Sequence, residues 1–161
     1  MAAIPVPLAG DPTAQSWAAA VAGRLNGPPG CMLERRASWQ TITTGAYNDI
    51  GWDTELRDTG FWTSGASLTI PEAGFYAYSV QLALSGSSAG TQRYMELCLN
   101  GATGNPFNGA VMSPNANALI WSMASQIRLA VGNTLKVRVL QDSGGNLNMT
   151  GATLTLTKIA E

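Results

Sequence analysis

The chain contains no histidine, and only 12% of its residues are charged, against about a quarter in an ordinary soluble domain. Without imidazole, the commonest general base and metal ligand at neutral pH is missing, so Ser-His-Asp and Cys-His catalytic sets are excluded. Nine basic residues against ten acidic ones give a net charge of -1, and no basic block occurs. That leaves no electrostatic footprint for a nucleic-acid backbone. No apolar run approaches a membrane span, and the opening Met1-Ala2-Ala3-Ile4-Pro5-Val6-Pro7 has neither the basic nor the apolar region of a secretion signal. The expectation is a soluble protein that is not exported and binds neither nucleic acid nor membrane. Cysteine is scarce too: Cys31 falls in a Pro/Gly-rich linker and Cys98 in a strand-like segment. Both are expected as free thiols, because a chain of this size needs no covalent staple.

What is abundant is Gly, Ser, Thr, Asn and Ala, a composition that makes an uncharged, hydrogen-bonding surface suited to contact with other protein. Residues 1–30 stand apart. Asp11 followed by Pro12 is a helix-start signal, since the carboxylate accepts an orphan backbone N–H and Pro at the first helical position gives up nothing. Trp17, Ala20, Val21 and Leu25 then share one helical face, and Asn26-Gly27-Pro28-Pro29-Gly30 ends the helix. A helix of about four turns is too short to hold alone, so it must pack on something.

From Met32 onward the pattern is strand after strand. The segment Tyr76 to Leu84 alternates strictly, with Tyr76, Tyr78, Val80, Leu82 and Leu84 apolar and Ala77, Ser79, Gln81 and Ala83 small or polar. Met95/Leu97/Leu99, Leu119/Trp121/Met123 with Ile127/Leu129, Leu135/Val137/Val139 and Leu154/Leu156 repeat that period. Strands are expected over Ser38–Ile42, Tyr47–Trp52, Ala66–Ile70, Gly74–Leu84, Arg93–Asn100, Gly109–Met112, Ala118–Leu129, Thr134–Gln141 and Ala152–Lys158. Gly/Asn/Ser-rich turns separate several of them. Tyr76, Tyr78, Val80, Leu97, Trp121, Val137 and Leu154 are the expected core. The fold class is all-β, an antiparallel jelly-roll sandwich with a short N-terminal helix.

The run Leu68-Thr69-Ile70-Pro71-Glu72-Ala73-Gly74-Phe75-Tyr76-Ala77-Tyr78, the segment Glu96-Leu97-Cys98-Leu99-Asn100-Gly101 and the entry Val131-Gly132-Asn133-Thr134-Leu135 follow one another in a particular order. So do Trp39, the segment Tyr47 to Asp53 and the loop Thr59-Gly60-Phe61-Trp62 that precede them. Together they resemble the C1q/tumour-necrosis-factor jelly roll, above all the versions carried by bacteriophage structural proteins, over residues 38–159. The resemblance implies a homotrimer around a threefold axis. It also implies a layout of a helical docking segment and Pro/Gly linker over residues 1–30 and a jelly roll over 31–161. Function then reads as a phage virion structural protein, found in the virion and assembled in the host bacterial cytoplasm. Its partners would be its own copies and other virion proteins, at the tail tip or baseplate as an accessory or receptor-binding head. A capsid decoration protein at threefold positions is the alternative, and a soluble lectin- or cytokine-type recognition protein is the alternative of another class.

The residues themselves offer few sites. Asp49, Asp53, Glu55 and Asp58 cluster in sequence, the raw material for a two-carboxylate glycosidase or for a hard cation, yet nothing raises a carboxyl pKa and the calcium-loop spacing is absent. They read as ordinary loop carboxylates, and no enzyme activity, metal or cofactor is expected. The aromatics Trp39, Tyr47, Trp52, Phe61 and Trp62 read mainly as core or interface, with Trp62 and Phe61 the contacts for a host surface glycan. Trp17, Val21 and Leu25 are the expected contacts with the particle.

Overall fold

The computed structural model describes residues 27–102, 109–112 and 119–161, with the backbone alone over 109–112. The expected helix with Trp17, Val21 and Leu25 lies outside the described residues, as does Ala118. The strands are β1 (Gly30–Arg35), β2 (Gln40–Ile42), β3 (Asn48–Asp49), β4 (Thr54–Asp58), β5 (Leu68–Thr69), β6 (Gly74–Leu84), β7 (Arg93–Leu99), β8 (Gly109–Met112), β9 (Leu119–Leu129), β10 (Thr134–Gln141) and β11 (Leu147–Ala160). Sheet A runs β4-β1-β11-β6-β9, with β2 also paired to β11; sheet B runs β3-β10-β7-β8, with β5 also paired to β10. Every pairing is antiparallel.

The two sheets close on one apolar layer. Tyr76, Tyr78, Val80, Leu82 and Leu84 of β6 face Met95 and Leu97 of β7 and Leu135, Val137 and Val139 of β10, all of them buried. The seven residues expected as core are all buried, because period-two alternation leaves only one inward register for a strand with a single apolar face. The Pro71 to Tyr76 corner has a physical basis. The Tyr76 ring is buried against Phe61, with ring centroids 5.8 Å apart, and its hydroxyl donates back to the Glu72 carbonyl at 2.8 Å. The strand is thereby tied to the turn that launches it.

Two strands went unanticipated. Gly30–Arg35 is no linker: it pairs with β11 on one side and β4 on the other, and Cys31 is buried within it. Its glycine is there because a Cβ at position 30 would lie 2.3 Å from the Leu156 carbonyl oxygen. Pro29 already takes part, accepting from the Lys158 N–H at 2.8 Å. Strand β4 reads Thr-Glu-Leu-Arg-Asp, too polar to announce itself, which is how sheets blunt an edge. Conversely, Tyr47–Trp52 shrinks to Asn48–Asp49 with an isolated bridge from Trp52 to Gly65, and the last strand starts five residues early, at Leu147 rather than Ala152.

The sandwich has two ends. At the entry pole lie Pro28, the turn before Thr134 and the last residues of β11; at the far pole lie the turns leading to β2 and β7 and the one after β10.

Candidate functional site

The outward faces of the two sheets differ in kind. On sheet A, register alone generates rows of uncharged side chains. Thr157, Ala77 and Gln126 sit side by side, then Thr155, Ser79 and Ala124, then Thr153, Gln81 and Ser122. Ala83 and Ile120 follow, with Ile120 67% exposed. Met32 of β1 extends the second row, and charges stand at the margins: Glu34 at the end of the third row, Arg57 of β4 beyond Met32, and Arg128 of β9 beside Phe75. On sheet B the corresponding row is Asp49, Arg138 and Glu96. There Arg138 Nε donates to Asp49 Oδ1 at 2.9 Å and Lys136 Nζ to Oδ2 at 2.7 Å. Sheet B carries a partly buried network of ion pairs, with Glu96 itself buried, whereas sheet A presents mainly hydroxyls, methyls and amides. Such a surface is depleted in charge in the manner of a buried interface core.

The four sequence-adjacent carboxylates are not brought together as a site. Asp49 is held by Lys136 and Arg138; burial pushes its pKa up, but these bonds outweigh it and keep the group below the usual carboxylate range. Asp53 folds back to accept the Arg36 and Ala37 N–H groups at 3.0 and 3.1 Å, and its pKa is lowered in the same way against a smaller burial effect. Asp58 caps the next turn, accepting from Phe61 N at 2.9 Å and Trp62 N at 3.1 Å. Glu55 is exposed on β4. Among the described residues no three metal-ligating side chains gather.

Of the two expected glycan contacts, Phe61 is corrected: at 2% exposure it is core. Trp62 is half-buried against that core, and its Nε1–H is spent on the Gly65 carbonyl at 3.1 Å. Both lie near Thr59, which bonds to Gly30 at the entry pole. Among the described residues the exposed indole is Trp39, at 68%, which the sequence pattern placed inside a strand; the preceding Arg35-Arg36-Ala37-Ser38 was the signal that the chain turns there. Cys31 and Cys98 are both free and buried. Burial, reinforced by Asp58, pushes the Cys31 thiol up to about 12, so it carries no thiolate chemistry at neutral pH.

The far pole holds a clamp that no motif announced. Arg93, with no exposed side-chain surface, reaches Asp142 at 3.1 Å. That carboxylate also accepts from the Thr91 hydroxyl at 2.6 Å and from the Thr91 and Gln92 N–H groups at 2.9 and 3.0 Å. These bonds, the Thr91 hydroxyl foremost, lower the Asp142 pKa from 3.8 to about 2. A depressed folded-state pKa contributes stability above the unfolded value that disappears as pH falls through the folded one. Urea midpoints are therefore expected to hold steady from pH 7 to about 5 and to drop between about pH 4 and 2. Asp142→Asn should flatten that drop; a wild-type midpoint unchanged down to pH 2 would refute the assignment.

No protein-family model and no curated sequence matches the chain. Solved structures do. The tumour-necrosis-factor protein Eiger from S. frugiperda superposes with a TM-score of 0.62 at 15% identity, covering 84% of this chain and 95% of that one. The globular domain of zebrafish complement 1qA gives 0.56 at 15%, with 83% and 98% covered. The fold is the C1q/TNF-like jelly roll. The vertex protein P5 of phage PRD1 shares it, at a TM-score of 0.59 and 15% identity, with 83% of this chain and 99% of that one covered. The jelly roll expected from the Pro71 to Tyr78 corner is thus present, and its neighbours include a phage vertex protein as well as complement and tumour-necrosis-factor domains.

Proposed function

We propose that this jelly roll is a virion structural protein: a homotrimeric head attached through residues 1–30, serving at the tail tip or baseplate as an accessory or receptor-binding component. The observation that carries the reading is the run of uncharged rows across the outer face of sheet A. A surface of Thr, Ser, Ala and Gln with an exposed isoleucine calls for protein against it, and a copy of the same chain is the partner always at hand. The likeness to a phage vertex protein supports placement in a particle, and the lack of histidine and the separately engaged carboxylates support binding over catalysis. Capsid decoration remains the second reading, since a vertex protein belongs to a shell. The apolar stripe of Trp17, Val21 and Leu25 is the proposed contact with the particle.

Two measurements test this. Sedimentation equilibrium of the full chain is expected to give three times the 16.8 kDa chain mass; a monomer at micromolar concentration would remove the oligomer. Immunogold labelling of intact particles is expected to mark a few copies at the tail end, and deletion of residues 1–27 to abolish the label. A shell-wide lattice would mean decoration, and unlabelled particles would end the virion reading.

A further inference from the structure

Resting on the reading that residues 1–30 attach the head, we propose that Pro28, Pro29 and Gly30 are a fixed mounting and not a hinge, and that tension from the attached segment enters the head along β1 and is carried there in shear. Two prolines followed by a glycine read as a spacer. Their carbonyls are nonetheless all engaged by the head. Pro28 accepts from the Arg57 guanidinium of β4, Pro29 from the Lys158 N–H of β11 at 2.8 Å, and Gly30 from the Thr59 N–H at 3.1 Å. Successive carbonyls therefore turn to the β4 side, to β11 and to the β4 side again, which is the alternation of a strand. A proline cannot donate to a ladder, but here both continue one as acceptors.

These bonds fix the direction in which the chain leaves the pole. The pyrrolidine rings set φ of both prolines near about −65°, and the engaged carbonyls hold the other torsion. Thr59 adds a second tie, since its hydroxyl accepts from the Gly30 N–H at 2.9 Å and donates to the Gly30 carbonyl at 3.1 Å. The exit is thus set as far as Gly27, which takes a left-handed φ of 70° against the same Arg57 guanidinium.

Register gives the path of the load. β1 starts at the entry pole and runs toward the far one, its six residues opposite Thr157 to Ala152 of β11 and four of them opposite β4. A pull on Gly27 away from the head acts along β1 and slides it between two neighbours. Antiparallel bonds lie across the strands, so sliding strains both ladders at once, whereas peeling a strand from its end breaks its bonds in turn. Sliding would also drag Cys31 and Leu33, both buried, through a close-packed core. Arg57, Thr59 and Lys158 stand where the tension arrives and divide it between β4 and β11.

Two measurements on the purified full-length protein test this, and neither uses particles. In amide hydrogen exchange followed by NMR, the Gly30, Thr59 and Lys158 N–H groups are expected to be protected, and Gly30 to exchange about tenfold faster in Thr59→Val, which removes its acceptor. Free exchange at these positions in the wild type, or a Gly30 amide indifferent to Thr59→Val, would overturn the mounting. In optical tweezers, one handle is fused ahead of residue 1 and the other sits on Ser88→Cys at the far pole or on Val131→Cys at the entry pole, with one labelled protomer per molecule. Ser88 and Val131 are exposed, and Cys31 and Cys98 are buried and take no handle. The far-pole pull loads β1 in shear and is expected to rupture at about twice the force of the entry-pole pull, which peels it. Equal forces in the two geometries would overturn the shear path. If both results hold and immunogold finds no label on particles, the mounting stands and the virion reading is retired; labelled particles with free exchange and equal forces would do the reverse.

Discussion

Replacing Leu97 by alanine is expected to lower the unfolding free energy by about 3 kcal/mol, the usual loss of transfer energy plus a cavity in a core that relaxes little. Leu97 is 1% exposed. It sits in the middle of β7, directly opposite Val137 on β10, and belongs to the single core cluster that joins both sheets. For a chain of this size the loss corresponds to a fall in thermal midpoint of roughly 6 to 12 °C. Thr155→Ala, on the outward phase of β11, should change the stability of the isolated protomer by less than about 0.5 kcal/mol. Thermal unfolding monitored by circular dichroism decides it, and a Leu97→Ala midpoint within 2 °C of wild type would contradict the inward assignment of β7.

The second large effect is expected at Arg93. Its guanidinium donates to the Gln92, Ser87 and Ala89 carbonyls at 2.9, 3.2 and 2.9 Å in addition to Asp142. It thus holds the whole connection between β6 and β7 in one shape. Arg93→Met keeps much of the buried stem but removes every donor, leaving carbonyls that had given up water; a cost of about 3 kcal/mol is expected. Arg93→Lys should recover little, because a point charge cannot reach carbonyls spread around a planar fork. Asp142→Asn should cost less than either, since that carboxylate stays partly in solvent. Denaturant titration measures all three, and protease nicking between Ser85 and Gln92 should accelerate in Arg93→Met. A loss below about 1 kcal/mol would mean the connection holds without its arginine.

The strands legible in the sequence were those with one buried face. β6, β10 and the second half of β11 alternate so regularly that phase and core membership follow together, with an uncharged opposite face on β6 and β11 and a charged one, Lys136 and Arg138, on β10. β1 was hidden behind Pro28-Pro29-Gly30, which signal a break in chain direction, yet Gly30 serves close packing against Leu156. β4 was hidden by its own edge chemistry. The site was less legible, because exposure of an aromatic is a tertiary property. Phe61 and Trp39 both stand next to turn residues, and only the Asp58 cap that turns one inward and the Arg35–Ser38 bonds that turn the other outward tell them apart.

The place of β11 has a consequence for timing. The last strand of the chain lies in the middle of sheet A, between β1, the first, and β6. Contacts of such long sequence separation form slowly, because closure entropy must be met before they reward it. During synthesis β1 and β6 emerge early but have no partner for their facing edges until β11 has emerged. A chain cut short in β11 therefore lacks both the seam of sheet A and the Thr153, Thr155 and Thr157 ridge of its outer face. The strand order thus makes the outer face of sheet A conditional on β11: without it, the surface by which copies would recognise one another is never displayed.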